Sequence, residues 1–430
     1  MSKKSKLNGK SPFSETSGFY NLLPKDRLSL IKKLTSLTDD QYNLLCEKSN
    51  LDLKIADNMV ENVIGTFPIP LGIACNFHIN SKDYLIPMAV EESSVIAAAS
   101  NAAKMARKLG GFKTSNTGSI MIGQIQIIEL LDPNKAKSEI LKNKKKLLKH
   151  ANDQDPILLS LGGGAQDIEV NVIKTNSEII LVVHLIVNCL DAMGANAINT
   201  MSESIAPLLE KISNGKVLLR IISNLAVKRL VRSNAIFDKD SVGGEKIVDL
   251  IIKSYEFADS DPYRCATHNK GIMNGITSVA LATGQDTRAI EAGAHSYASF
   301  HGQYKSLTTW EKNTDGNLVG TIELPLAVGL IGGATAVHPI AKACLNILGI
   351  NNVTDLSAIL ASVGLAQNLG ALRALVSEGI QKGHMKLHAR NLAVSAGATG
   401  ELIDKVANHM IKNSSVRFDI AKSLISKLKK

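Results

Sequence analysis

The chain has 430 residues, more than one ordinary domain holds, so two or three domains are expected. A hydrophobic fraction of 45% and a charged fraction of 20% exclude a wholly disordered or fibrous protein. The 49 Lys and Arg against 39 Asp and Glu leave a net charge of +10, which points to anionic partners, while 4% aromatics argue against a stacking platform for single-stranded nucleic acid.

Met1 to Gly18 is rich in Ser, Lys and Gly and lacks the apolar core of a signal peptide, so 1–18 reads as a disordered leader. Leu28, Ile31, Leu34 and Leu37 keep helical spacing across 24–50, with Pro24 near the start. Asp57 to Gly65 reads as the end of a second helix, and Pro68, Pro70 and Gly72 mark a turn. Glu91 to Leu109 is dominated by Ala and predicts a helix packed on most sides, opened by Glu91-Glu92 and closed by Gly110-Gly111.

The middle is more regular. Ile120 to Leu130 alternates as a strand does, and Pro133 to Asn152 predicts a Lys-rich helix. Strands follow at Asp167–Lys174 and Glu178–Asn188, then a helix at Met193–Ile212 and a strand at Val217–Ser223. That order, β-α-β-β-α-β, is the ferredoxin-like signature. The prediction is an α+β chain. Residues 19–118 and 228–379 form a large, mostly helical α/β domain, interrupted by a ferredoxin-like insert at 119–227. The long helix Leu356–Glu378 belongs to the large domain, and a helical segment at 380–430 closes the chain.

Cys46, Cys75, Cys189, Cys265 and Cys344 are far apart, odd in number and form no Cys-x-x-Cys pair. Buried thiols in a reducing cytoplasm fit better than a disulfide framework or a metal site. No run of 18 apolar residues is present to span a membrane.

Three small-residue turns are candidates for phosphate binding. Gly162-Gly163-Gly164 lies between a helix and a strand, the wrong order for a Rossmann fingerprint, and reads as a turn. Gly332-Gly333-Ala334-Thr335 reads the same way. Asp191-Ala-Met-Gly-Ala-Asn196 instead follows a strand and opens a helix, where small residues let a phosphate approach the helix N-terminus. The oddest segment is Asp261 to Gly275. Arg264, Thr267, His268, Asn269, Lys270 and Asn274 crowd a short span with little amphipathic periodicity. A hydrogen-bonded loop would explain it structurally. The functional alternative is a site where Arg forks onto a carboxylate and Lys meets a developing oxyanion. Asp286 follows closely enough to orient that lysine. His384, beside Gly383 and before the terminal helix, suits proton delivery from a mobile element.

Together these segments resemble class II, bacterial-type 3-hydroxy-3-methylglutaryl-CoA (HMG-CoA) reductase. The resemblance is carried by Glu61-Asn-Val-Ile-Gly-Thr-Phe67, Pro87 to Ser94, Asp191 to Asn196, Asp261 to Gly275, Leu307 to Lys312 and Gly383-His-Met385. It implies reduction of HMG-CoA to mevalonate and free CoA with two nicotinamide hydrides, a step of isoprenoid synthesis, or the reverse reaction in mevalonate catabolism. It places catalytic roles on Glu92, Lys270, Asp286 and His384, and substrate contacts on Ser94, Arg264, Thr267 and Asn274. Dinucleotide contacts fall on Asp155, Asp191, Met193, Gly194, Asn196 and Asn224. Asp155 matches a carboxylate that accepts a ribose 2′-hydroxyl and repels a 2′-phosphate, which favours NADH over NADPH. Lys142, Lys144, Lys145, Lys146 and Lys149 oppose that preference. An arginine of some members is replaced here by Tyr20. The resemblance also implies a homodimer or larger assembly with a shared active site, and no metal. A basic nucleic-acid-binding module is the competing class, but no nucleic-acid motif accompanies the lysines.

Overall fold

The computed structural model describes residues 13–46, 51–377, 380–413 and 415–428, with the side chains of 380–387 outside that description. Ten strands are present among these residues: β1 Leu71–Ile79, β2 Lys82–Ala89, β3 Phe112–Asn116, β4 Ile120–Ile128, β5 Gly164–Lys174, β6 Ile179–Asn188, β7 Lys216–Ile222, β8 Leu230–Phe237, β9 Thr308–Lys312 and β10 Leu318–Pro325. They form a six-stranded sheet in the order β2-β1-β3-β8-β10-β9 and a four-stranded sheet in the order β5-β6-β4-β7. All pairings are antiparallel except β1 with β3. The β1–β2 hairpin turns on Asn80 and Ser81, both at positive φ, as a tight two-residue connection requires.

Each sheet has its own core. Phe77, Phe112 and Phe237 pack on the large sheet beneath the helices Val95–Arg107, Pro262–Ala282 and Val353–Val376. Two glycines bring the last two helices together. A Cβ at Gly275 would lie 2.9 Å from the Gln367 side chain, and one at Gly364 would lie 2.7 Å from Ile276. The helix Val353–Val376 is long and apolar enough to cross a bilayer, but Leu360, Val363 and Leu372 are wholly buried, so it is the spine of a folded core. On the small sheet, Ile125, Leu181 and Leu185 meet Ile205 and Leu209 of the helix Ala195–Ser213. The strand order is that of a split β-α-β unit. A third core joins Ala389, Ala393, Val406, Met410, Ala421 and Ile425 in three C-terminal helices.

The structure corrects several expectations. Residues 1–12 lie outside the described residues, but Ser14 is fully buried. Its amide donates to Asp83 and its hydroxyl to the Phe77 carbonyl, so the leader does not extend to 18. The helix expected across 24–50 is two, Pro24–Leu34 and Asp39–Cys46, and the Lys-rich helix breaks at Asn143. The six-stranded sheet was not foreseen in a region expected to be mostly helical. Asp261–Gly275 is no loop: Asp261 caps a continuous helix, Pro262–Ala282, through the Arg264 amide. The Ala-rich helix begins at Val95, so Glu91 and Glu92 precede it rather than occupying its first turn.

Candidate functional site

A cleft of about 2560 Å³ runs between β1 with the helix Val95–Arg107 and the N-terminus of the helix Ala195–Ser213. It far exceeds the ~300–1,000 Å³ of an ordinary ligand pocket, leaving room for two large ligands. Glu92, Ser94 and Asp286 line it, as do Asp155, Met193, Gly194 and Asn196. A smaller cavity of about 430 Å³ is shared by Glu92, Asn274 and Arg288.

The helix Pro262–Ala282 has two chemical faces. Cys265, His268, Ile272, Gly275, Ile276 and Val279 are buried. Arg264, Thr267, Lys270 and Asn274 recur at three- and four-residue spacing and stay accessible. Lys270 Nζ donates to Glu92 Oε2 at 3.0 Å, and Asn274 Nδ2 donates to the same oxygen at 3.2 Å. A half-exposed pair of this kind adds little stability, so its worth lies in placing an ammonium and a carboxyl together at the cleft edge. Arg264 is half-buried, which lowers its guanidinium from the usual value. Arg264 and Thr267 continue the stripe beyond the residues that line the cleft.

Beneath the stripe, His268 Nε2 meets the hydroxyls of Thr308 and Ser306, each at 2.9 Å, and Asn368 Nδ2 at 3.2 Å. The Trp310 indole donates to Asn368 Oδ1 at 2.8 Å. Burial, with Arg264 nearby, pushes the His268 imidazole down to about 4, so it is neutral at ordinary pH. This network ties the charged helix to β9 and to the spine helix.

Ser94 sits at φ 75°, a left-handed conformation uncommon for a residue with a side chain. It is the N-cap of its helix, yet its hydroxyl makes no capping bond there. Strain and an uncommitted hydroxyl at the cleft wall are what a ligand contact needs.

Asp286 behaves differently from expectation. Its carboxylate caps the helix Thr287–Ala298 through the Arg288 and Ala289 amides and lies 3.5 Å from the Arg288 guanidinium. Lys270 is paired with Glu92 instead. His384 falls on the helix Ile380–Ser395, but its side chain lies outside the described residues. Asn391 of that helix lines the cleft.

On the opposite wall, Gly194 caps the helix Ala195–Ser213 at φ 107°, and a Cβ there would meet Cys189 Sγ at 2.4 Å. No side chain caps this helix, so its first amides remain available to phosphate oxygens, and Ala195, Asn196 and Ala197 line the cleft beside them. The cradle fits a dinucleotide pyrophosphate. Asp191 is spent structurally: its carboxylate accepts the Val353 amide at 2.8 Å. Asn224 is not among the cleft-lining residues, and its carbonyl lies under Gly293. Asp155 caps Pro156–Ser160 through the Leu158 amide at 2.9 Å. At the Tyr20 end, Arg27 also lines the cleft and donates to the Phe19 and Tyr20 carbonyls. Among the described residues no three His, Cys, Asp or Glu are gathered as a metal site.

Sequence reasoning missed Arg229 and Gln285, which fasten the main chain behind the site. Nothing in the text around Arg229 separates it from its neighbour Lys228. Gln285 carried a faint signal, a polar residue in a glycine turn directly before Asp286.

A family profile described as hydroxymethylglutaryl-coenzyme A reductase matches residues 24–389. A 3-hydroxy-3-methylglutaryl-coenzyme A reductase of Archaeoglobus fulgidus is 57% identical over 416 residues, 97% of this chain and 95% of that protein. A probable reductase of the same name from Borreliella burgdorferi is 35% identical over 392 residues, covering 86% and 87% of the two chains. The solved class II enzyme of Streptococcus pneumoniae, bound to NADPH in open conformations, superposes with a TM-score of 0.81. It is 38% identical and the match covers 95% of this chain and 100% of that one.

Proposed function

The chain belongs to the hydroxymethylglutaryl-coenzyme A reductase family, and from that premise we propose that it reduces HMG-CoA to mevalonate and free CoA, consuming two reduced nicotinamide dinucleotides. The observation that carries this reading is the Lys270–Glu92–Asn274 cluster at the edge of a cleft whose other wall is an uncapped, glycine-opened helix. That helix would hold the pyrophosphate of a reduced nicotinamide dinucleotide, which would supply a hydride for each of the two reductions.

The chain's own groups handle charge and protons. The Lys270 ammonium neutralises the oxygen of the thioester carbonyl as charge builds on it. Glu92, sharing its Oε2 with Lys270, delivers a proton to that oxygen when the aldehyde becomes the alcohol. His384 protonates the departing CoA thiolate. Asp286 acts through Lys270, which requires the turn at 284–286 to approach the lysine in the liganded enzyme. Ser94, Arg264, Thr267 and Asn274 hold the acyl group's carboxylate and hydroxyl. Met193, Gly194 and Asn196 receive the dinucleotide, with Asp191 and Asn224 fixing the main chain around it. Asp155 at the cleft rim favours NADH.

The site is completed by a second copy of the chain. Ile64 and Phe67 are 102% and 90% exposed on the segment Glu61–Phe67, and Phe67 lines the cleft. A cytoplasmic setting is supported by five free thiols, four of them buried.

The test is a spectrophotometric assay with HMG-CoA, comparing NADH with NADPH. Two dinucleotides oxidised per CoA released are expected, and no oxidation of either would overturn the reading.

A further inference from the structure

We propose that Gln285 and Arg229 are positioning residues that lock the dinucleotide turn and the Asp286 turn into one unit through the strand-like segment 328–331. The proposal rests on the assignment of the Asp191–Asn196 turn to the dinucleotide.

Segment 328–331 is held from both sides. On one side it lies against the dinucleotide turn. Leu330 N–H donates to the Asp191 carbonyl at 2.8 Å, and Ala192 bridges Ile331 as parallel strands do. Contact is so close that a Cβ on Gly329 would stand 2.5 Å from the Met193 nitrogen. Arg229 closes this side. Its guanidinium donates to the carbonyls of Ala192 at 3.1 Å, Met193 at 3.2 Å and Val328 at 2.6 Å. It is 3% exposed, and burial lowers it to about 10. A buried cation bonded to three carbonyls leaves all three unsatisfied when it is removed.

On the other side stands Gln285. Its Nε2 donates to the Gly329 carbonyl at 2.9 Å, and its Oε1 accepts the Gly329 N–H at 2.8 Å, so the amide pairs with one residue as a neighbouring strand would. The same Nε2 reaches the Thr283 carbonyl at 3.1 Å and Thr335 Oγ1 at 3.2 Å. The next residue is Asp286. A displacement of Gly329 therefore moves Met193 at one end and Asp286 at the other. Gln285 makes no hydrogen bond to the dinucleotide turn but lines the cleft, whereas Arg229 does not line it, so a loss of dinucleotide affinity shared by Gln285 and Arg229 variants reports transmission through the segment.

The test compares the full chain with Gln285→Leu, measuring reduced-dinucleotide affinity by nicotinamide fluorescence, turnover of HMG-CoA, and the thermal midpoint. The expected result is about a tenfold weaker dinucleotide Kd with a similar loss of kcat, while KM for HMG-CoA stays within about twofold. Gln285→Asn, which keeps the amide on a shorter stem, serves if the leucine variant does not fold. Arg229→Lys, able to reach one carbonyl, should fall between wild type and Arg229→Met. Wild-type affinity in folded Gln285→Leu or Gln285→Asn overturns this inference alone. A wild-type chain that binds no dinucleotide overturns the proposed function with it.

Discussion

The two walls of the cleft reach their chemistry by opposite routes. The wall built on Pro262–Ala282 works through side chains: an ammonium, a carboxyl and an amide meet at one oxygen, and a buried network anchors the helix that carries two of them. The wall at Gly194 works through main chain: free amides, small residues and a left-handed glycine, held by Arg229. The first wall should tolerate backbone adjustment but not a change of functional group. The second should tolerate many side chains but no shift of backbone.

The sharpest break of that contrast is Lys270→Ala. Removing the ammonium proposed to meet the oxyanion is expected to lower kcat by about 10³-fold, with the thermal midpoint barely moved because the Lys270–Glu92 pair is half-exposed. Turnover within about tenfold of wild type would move the chemistry elsewhere. The matching change on the other wall is Gly194→Ala, a single methyl. With φ at 107° and Cys189 Sγ in the way, the turn must open, and dinucleotide affinity should fall about 100-fold while HMG-CoA binding persists. Unchanged dinucleotide affinity would show that main-chain placement is not what this wall contributes.

The same contrast explains what could be read beforehand. The Asp191–Asn196 turn was legible as a turn because it puts small residues between a strand and a helix, and that local order survives folding. The helix Pro262–Ala282 shows little amphipathic periodicity in the sequence because its buried face contains His268 and Asn269, polar residues that only a tertiary network satisfies. The spacing of Arg264, Thr267, Lys270 and Asn274 was present in the sequence, but a mixed polar interior hid it. The six-stranded sheet went unseen for a related reason. β2 is buried without a break from Tyr84 to Met88, so it lacks the alternation that reveals β4, and β1 alternates only over Cys75 to Ile79. Arg229 and Gln285 bind carbonyls brought together from distant segments, and no local pattern announces that.

His268 gives the next test, of the foundation under the side-chain wall. With the folded imidazole held at about 4, both folded and unfolded chains carry it neutral above the ordinary value of 6.5. As pH falls below that value the unfolded chain takes up the proton first, so stability declines towards pH 4 by roughly 2–3 kcal/mol. The thermal midpoint of His268→Gln should be flatter between pH 7 and 4.5 than that of wild type. Parallel curves would mean that other groups govern the acid limb.

The smallest expected effect asks whether a lone side chain can tune the main-chain wall. Asp155 both caps a short helix and lines the cleft, so most substitutions there confound the two roles. Asp155→Asn separates them, because asparagine caps about as well but carries no charge. Losing one charge near a 2′-phosphate across solvent is worth about 1 kcal/mol, so the NADPH-to-NADH ratio of kcat/KM should rise about fivefold. Added salt should shrink that gain, since the repulsion acts through water. A ratio that stays fixed at every ionic strength would reduce Asp155 to a helix cap, and leave dinucleotide choice to the lysines at 142–149 on the preceding helices.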